Sequence, residues 1–284
     1  MRRQDRRKFD PDEHYDEPLW PGWEQFWSSR LGLGVATLLV VAIAGTMFFG
    51  NLSALGIWEP WEANEILVAQ EYGDRPEAPP PEARDPKAPS YNWAVPTKNR
   101  KPINRSLLKT MLVSWSIVDG ADESGQPQVG SLEFSARLPM ALGALILALV
   151  GFFWLRDVFD TWRALLGVAA FASTPAIYMG VHTVSAEILF VATTSLAIIA
   201  FHKAVFAEGK TKYLWGALFG AGLALSFYDQ RLLGLLVPMG AITAYGLTEL
   251  PFHRAMNVRG EEEFLGKQEI ALSVAAFLAA GGVV

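Results

Sequence analysis

The chain contains no cysteine, which excludes a disulfide framework and any thiolate metal centre. Charge is missing over long stretches. Leu31–Gly50 runs twenty residues without an ionised side chain, about the length needed to cross ~30 Å of hydrocarbon. Comparable runs occupy Leu138–Leu155, Ala164–Val181, Val184–Phe201, Tyr213–Tyr228 and Leu232–Thr248. Charges deep inside these runs are lacking, which counts against a transporter or flippase. No internal repeat suggests duplicated halves of the transporter kind. No nucleic-acid-binding module is present, because the basic clusters sit beside apolar runs instead.

What remains is strongly apolar. Of 284 residues 51% are hydrophobic, and the mean hydropathy is +0.21. The bunching of these residues predicts an all-α fold, a polytopic transmembrane helix bundle, and the inner (plasma) membrane is its expected location. A seventh apolar run starts at Ile270 and reaches Val284, so the chain is expected to be a piece of a longer protein. The net charge of −5 says little, because the charges are segregated by loop.

Residues 1–30 begin Met-Arg-Arg-Gln-Asp-Arg-Arg-Lys, which favours a cytoplasmic N-terminal segment before an uncleaved first helix over 31–50. Trp20, Trp23 and Trp27 fit an interfacial belt. Counting crossings from that start places residues 51–131 outside, as an extracytoplasmic loop. Residues 132–284 then hold transmembrane helices two to seven. Arg156, Arg163, Lys203, Lys210, Lys212 and the segment with His253, Arg254, Arg259 and Lys267 fall inside, as the positive-inside bias requires.

Within the long loop, Pro60–Tyr72 reads as a short helix and Ile103–Val118 as an amphipathic one. Between them, 75–102 carries eight prolines and is expected to be extended or irregular. The two helices suit the membrane surface. Beyond Ser135 the turns are short and small residues frequent, among them Gly167, Ala172, Gly216, Gly220 and Gly222, which predicts closely packed antiparallel helices.

The same crossing pattern brings polar residues to one face: Glu59 and Glu62, Ser135–Arg137, the His182–Glu187 turn, and Tyr228–Arg231. Ionisable groups at membrane depth are costly, so each is a functional candidate. Glu59 and Glu62 are three apart on one helix face. Either carboxylate suits deprotonation of an acceptor, and both equally suit stabilisation of a helix start at Pro60. His182 and Glu187 flank a four-residue turn; their spacing is poor for a metal and no third ligand is evident, so no metal site is assigned. Asp229-Gln230-Arg231 is either a polar hairpin with an internal ion pair or a phosphate-holding arginine. Arg137 either binds phosphate or snorkels at a helix start. Lys98, Arg100 and Lys101 add positive charge to the proline-rich loop.

Taken in order, these motifs resemble the GT-C-type polyprenol-phosphate-dependent glycosyltransferases, in the group of the protein mannosyltransferases and lipid A aminoarabinose transferases. The resemblance covers about residues 31–250. Trp58-Glu59-Pro60-Trp61-Glu62 and the helix after it resemble the family's Trp-x-Pro-Asp-Glu segment. Trp61 stands where the family has Asp, and Glu62 where it has Glu. Trp93-Ala94-Val95-Pro96 with Lys101-Pro102 is similar to its second outer segment, and Arg137-Leu138-Pro139 to the start of span two. Glu187 lies where the family usually has Asp, and Asp229-Gln230-Arg231 where it has Lys-Gly-Pro.

The resemblance implies transfer of a sugar from a polyprenyl-phosphate-linked donor to a lipid, glycan or protein acceptor at the outer face, with inversion. Membrane lipids are the surroundings and nucleic acid is no partner. Glu62, with Glu59 beside it, is implied as the activating carboxylate. Lys101, Arg137, Glu187, Arg231 and His182 are implied to bind substrate, with a divalent cation as one further candidate for holding the leaving phosphate. The replacement at Trp61 also admits an inactive relative that binds a lipid-linked glycan or scaffolds an envelope complex.

Overall fold

The computed structural model describes residues 22–54, 56–57, 60–74, 95–99, 101–118, 131–207 and 209–257. Glu59, Trp20, the proline-rich stretch over 75–94 and the seventh apolar run lie outside these residues. The described chain is almost wholly helical: α1 (Trp23–Ser28), α2 (Arg30–Phe49), α3 (Trp61–Gly73), α4 (Leu107–Val118), α5 (Ser131–Val158), α6 (Thr161–Ser173), α7 (Pro175–Val181), α8 (Glu187–Phe206), α9 (Thr211–Gln230) and α10 (Leu232–Asn257). A two-stranded antiparallel hairpin, β1 (Thr97–Lys98) and β2 (Lys101–Pro102), interrupts the all-α pattern between α3 and α4, with Thr97 opposite Pro102.

Among the described residues, α2, a 27-residue stretch of α5 and α8 are long and apolar enough to cross a membrane. The run Ala164–Val181, expected as one helix, is instead the pair α6–α7, bent by 62° at Thr174. Pro175 is the cause, because it opens α7 where its missing N–H is least costly. Counted as one broken span, the pair makes a fourth. The chain is thus a multi-pass membrane protein. Tyr213–Tyr228 and Leu232–Thr248 also fold as helices, within α9 and α10.

Small residues set the packing. The buried stripe of α2 is Gly32, Ala36, Val40, Ala44 and Phe48, spaced by four along one face. This stripe lies in one core with Met140, Ala144 and Phe152 of α5 and Ala164, Val168 and Ala172 of α6. Gly222 of α9 lies so close to α8 that a Cβ there would sit 3.0 Å from the Cα of Ala197. Such close approach supplies van der Waals contact where lipid offers no hydrophobic drive.

Trp27 departs from the expected interfacial belt. It is buried, lies 5.9 Å from Trp162 between ring centroids, and its carbonyl accepts from the hydroxyl of Thr161 at 2.9 Å. It joins α1 to the start of α6 as part of the core.

α3 and α4 form a layer across one end of the bundle. Ile66 and Ala69 of α3 and Val113 and Ile117 of α4 belong to the main core, while Trp61, Leu67 and Trp115 are exposed. The hairpin is tied to α3 by Glu71, whose carboxylate accepts from the Thr97 hydroxyl at 2.8 Å and from the Asn99 amide at 2.7 Å. Asn99 takes a left-handed backbone, φ 52°, at the hairpin turn, a conformation that asparagine tolerates better than most residues.

Candidate active site at one end of the bundle

Four separate stretches meet at the end capped by α3 and α4. The first contact is an ion pair. Glu62 opens α3 and Arg137 lies in the second turn of α5, and they are 3% and 0% exposed. Arg137 donates through Nε to Glu62 Oε1 at 2.7 Å and through Nη2 to Oε2 at 2.7 Å, a bidentate fork. Its remaining donors reach the carbonyls of Leu52 at 2.8 Å and Gly56 at 3.0 Å. Glu62 Oε1 also accepts from the amide of Val184 at 3.0 Å. One guanidinium therefore fastens the loop after α2, the start of α3 and the start of α5, while its carboxylate partner fastens the turn before α8.

This geometry resolves the two sequence readings of these residues. Arg137 does not snorkel, because it is fully buried. Glu62 lies in the first turn of α3 and its oxygens accept from Arg137 and Val184, while Pro60 holds the N-cap position. The carboxylate thus accepts three hydrogen bonds, two of them from one guanidinium, so both of its oxygens are already engaged.

His182, also buried, bridges two carbonyls. Nδ1 lies 2.8 Å from the oxygen of Tyr178 and Nε2 lies 2.9 Å from that of Gly50, with the ring stacked on Tyr178 at 4.1 Å. It ties the end of α2 to α7 and faces backbone on both nitrogens. Glu187 is exposed in the first turn of α8, where the helix dipole favours a carboxylate. Lys101 is exposed on β2. Arg231 is exposed at the sharp α9–α10 turn with φ 50°. Trp61, at the family's Asp position, is 76% exposed.

A second polar cluster lies beside the first, and sequence reading passed over most of it. Ser106 immediately precedes α4 and Lys109 lies in its first turn. Lys109 Nζ and Arg105 Nη1 both contact Glu65 of α3, at 2.7 and 3.0 Å. The Ser106 hydroxyl donates to Asp229 Oδ1 of α9 and accepts from the Lys109 amide at 3.1 Å. Asp229 is 2% exposed, yet its Oδ2 has no hydrogen-bond partner, and neither does the Oγ of Ser226, one turn earlier on the same face. Asp229 follows the apolar run ending at Tyr228 and lies outside the spanning segments. Burial raises its carboxyl to about 6, against the Ser106 hydrogen bond and the charge of Lys109, while Glu187 raises it further. The signal that would have found this cluster was present in Asp229, an acid breaking two apolar runs. Ser106 and Lys109 carry no comparable signal in the sequence. Among the described residues, no group of three His, Asp or Glu is placed to hold a metal ion.

Comparison with known proteins agrees with this architecture. Residues 128–254 match the family model of the dolichyl-phosphate-mannose-protein mannosyltransferases. ArnT from Cupriavidus metallidurans in the apo state has the same fold, with a TM-score of 0.65 and 15% identity over 88% of this chain and 41% of that one. The same protein bound to undecaprenyl phosphate matches with a TM-score of 0.62 and 15% identity, over 90% of this chain and 42% of that one. No curated protein matches. The chain spans about two fifths of the ArnT chains it resembles. Residues 128–254 thus resemble the dolichyl-phosphate-mannose-protein mannosyltransferases, and the chain shares the ArnT fold over most of its length.

Proposed function

We propose that the protein acts in transfer of a sugar from a polyprenyl-phosphate-linked donor to an acceptor at the extracytoplasmic face of the inner membrane, with the N-terminus cytoplasmic. The observation that carries this reading is the convergence of Glu62, Arg137, the 182–187 turn and Asp229 at one end of a bundle with the ArnT fold. A lipid donor resident in the bilayer and a polar acceptor arriving from water would meet at such an end. Arg137 and His182 shape the floor of the site through backbone contacts. Among the described residues, Lys101 and Arg231 are exposed cations able to meet a lipid phosphate, a role that suits side chains able to donate several hydrogen bonds. A divalent cation, if used, would draw on Glu187 and phosphate oxygens rather than on a prebuilt protein cage.

One observation favours a second reading, an inactive relative that binds the lipid carrier. The motif position held by Trp61 offers no carboxylate, and Glu62 is engaged by Arg137. The two readings separate in proteoliposomes containing the full-length protein. Binding of undecaprenyl phosphate is measured first, followed by release of label from undecaprenyl-phosphoryl hexoses and pentoses in the presence of lipid and peptide acceptors. Transfer supports the enzyme. Binding without transfer from any donor supports the inactive relative, and the absence of binding removes both.

A further inference from the structure

The transfer reading leaves one chemical requirement unmet, a group to take the acceptor's proton. Glu62 is a poor choice because three donors already occupy its oxygens. Asp229 differs at each of these points. It is equally buried, but it receives a single hydrogen bond, from Ser106, and no cation contacts it directly. Its second oxygen is without a donor, and the nearby Ser226 hydroxyl is likewise unpartnered. The ammonium of Lys109 is engaged with Glu65. An unpaired buried oxygen costs free energy, which proteins tend to keep where chemistry uses it.

Ser106 supplies the route outward. Its residue is 8% exposed, so it lies at the edge of the buried cluster, and its hydroxyl proton is already directed at Asp229 Oδ1. The oxygen accepts from the Lys109 amide and keeps one lone pair. We propose that Ser106 and Asp229 form a proton-accepting pair for the acceptor hydroxyl or amine. Resting on the transfer reading above, the step balances as follows. The acceptor's O–H or N–H proton moves to Ser106 Oγ while the serine proton moves to Asp229 Oδ1. The acceptor heteroatom bonds to the anomeric carbon, and the bond from that carbon to the donor's phosphate oxygen breaks. Its electron pair leaves with polyprenyl phosphate. Asp229 ends as a neutral carboxylic acid.

The groups facing Asp229 agree with this role. Lys109 from α4 favours the carboxylate; Glu187 from α8 and burial favour the acid. The start of α10, Leu232-Leu233-Gly234, carries no charge, and Arg231 at the intervening turn is exposed. The opposing influences leave the carboxyl raised to about 6, closer than an ordinary carboxylate to the range in which a general base is effective.

The test uses the full-length protein in proteoliposomes, with the undecaprenyl-phosphoryl sugar that wild type accepts as donor and undecaprenyl phosphate as binding probe. Asp229→Asn is expected to lower the transfer rate by roughly 10²- to 10⁴-fold, to abolish the acidic limb of the pH profile, and to bind undecaprenyl phosphate as wild type does. Asp229→Glu restores part of the rate with a shifted limb. Ser106→Ala, which leaves the carboxylate in place, also loses rate. Transfer by Asp229→Asn within about threefold of wild type, or an unchanged pH profile in all three variants once normalised to folded protein, overturns the proposal. If wild type binds undecaprenyl phosphate but transfers from no donor, the transfer reading itself fails and takes the pair with it. That outcome differs from one in which wild type transfers and the variants match it.

Discussion

Arg137 and Glu62 lie 75 positions apart in the chain and share two parallel hydrogen bonds of 2.7 Å inside the protein. Because both are out of water, each charge depends on the other for compensation. Replacing a buried pair together is often tolerated, whereas removing one partner leaves an uncompensated charge and costs ~3–5 kcal/mol. Glu62→Ala and Arg137→Met are each expected to lower thermal stability in detergent sharply, with little purified folded protein. The double replacement Glu62→Leu with Arg137→Met should recover a substantial part of that loss. A double variant no better than the worse single one would show that the carbonyl contacts to Leu52 and Gly56, rather than the ion pair, dominate.

Glu71 holds the hairpin turn through two acceptor contacts, to Thr97 and Asn99. Glu71→Ala removes both and leaves the Asn99 amide to solvent. Hydrogen exchange at Asn99 is expected to accelerate by at least tenfold, with exchange in α5 and α8 unchanged, because a charge-assisted hydrogen bond contributes about 1.5–3 kcal/mol. Lys101 rides on the same hairpin, so weaker binding of undecaprenyl phosphate by this variant would place the hairpin at the lipid site.

The apolar runs located the helices because membrane length and helical rise leave little freedom. α2 and α8 therefore lie within a residue or a few of their expected bounds. The bend at Thr174 was less legible. Pro175 sits inside a run apolar enough to be read as one span, and only tertiary packing decides whether such a proline kinks or breaks a helix. For the site, crossing parity grouped Glu62, Arg137, His182 and Asp229, since alternate helix ends must share a side. Parity carries no information on partners. It could not show that Arg137 would take Glu62 as its fork partner, that His182 would face two carbonyls, or that Ser106 would find Asp229 across 123 positions.

Gly222 tests the small-residue packing directly. A Cβ there would meet the backbone of Ala197 at 3.0 Å, and a rigid helix backbone cannot give way as a side-chain tip can. Gly222→Val is expected to force α8 and α9 apart, at a cost of roughly 1–3 kcal/mol. Gly216→Ala on the same helix, where a Cβ meets nothing within 4 Å, should be neutral or slightly stabilising. Equal melting temperatures for the two variants would contradict the packing described.

Asp229 yields a prediction on stability that is independent of any reaction. Its carboxyl is raised from 3.8 in the unfolded chain to about 6 in the fold, with burial as the main cause. A carboxyl whose folded value is the higher one contributes stability that is complete below about 3.8 and is lost as pH rises through about 6. Roughly 2 pH units correspond to ~3 kcal/mol between those limits. Asp229→Asn has nothing to deprotonate and keeps an oxygen for Ser106, so its melting temperature should rise relative to wild type between about pH 4 and about pH 7. A constant difference between the two proteins across that range would mean that Asp229 does not change protonation there. A widening difference would show that wild type keeps, at neutral pH, a buried carboxylate that its own fold disfavours, the stability cost expected of a group retained for its chemistry.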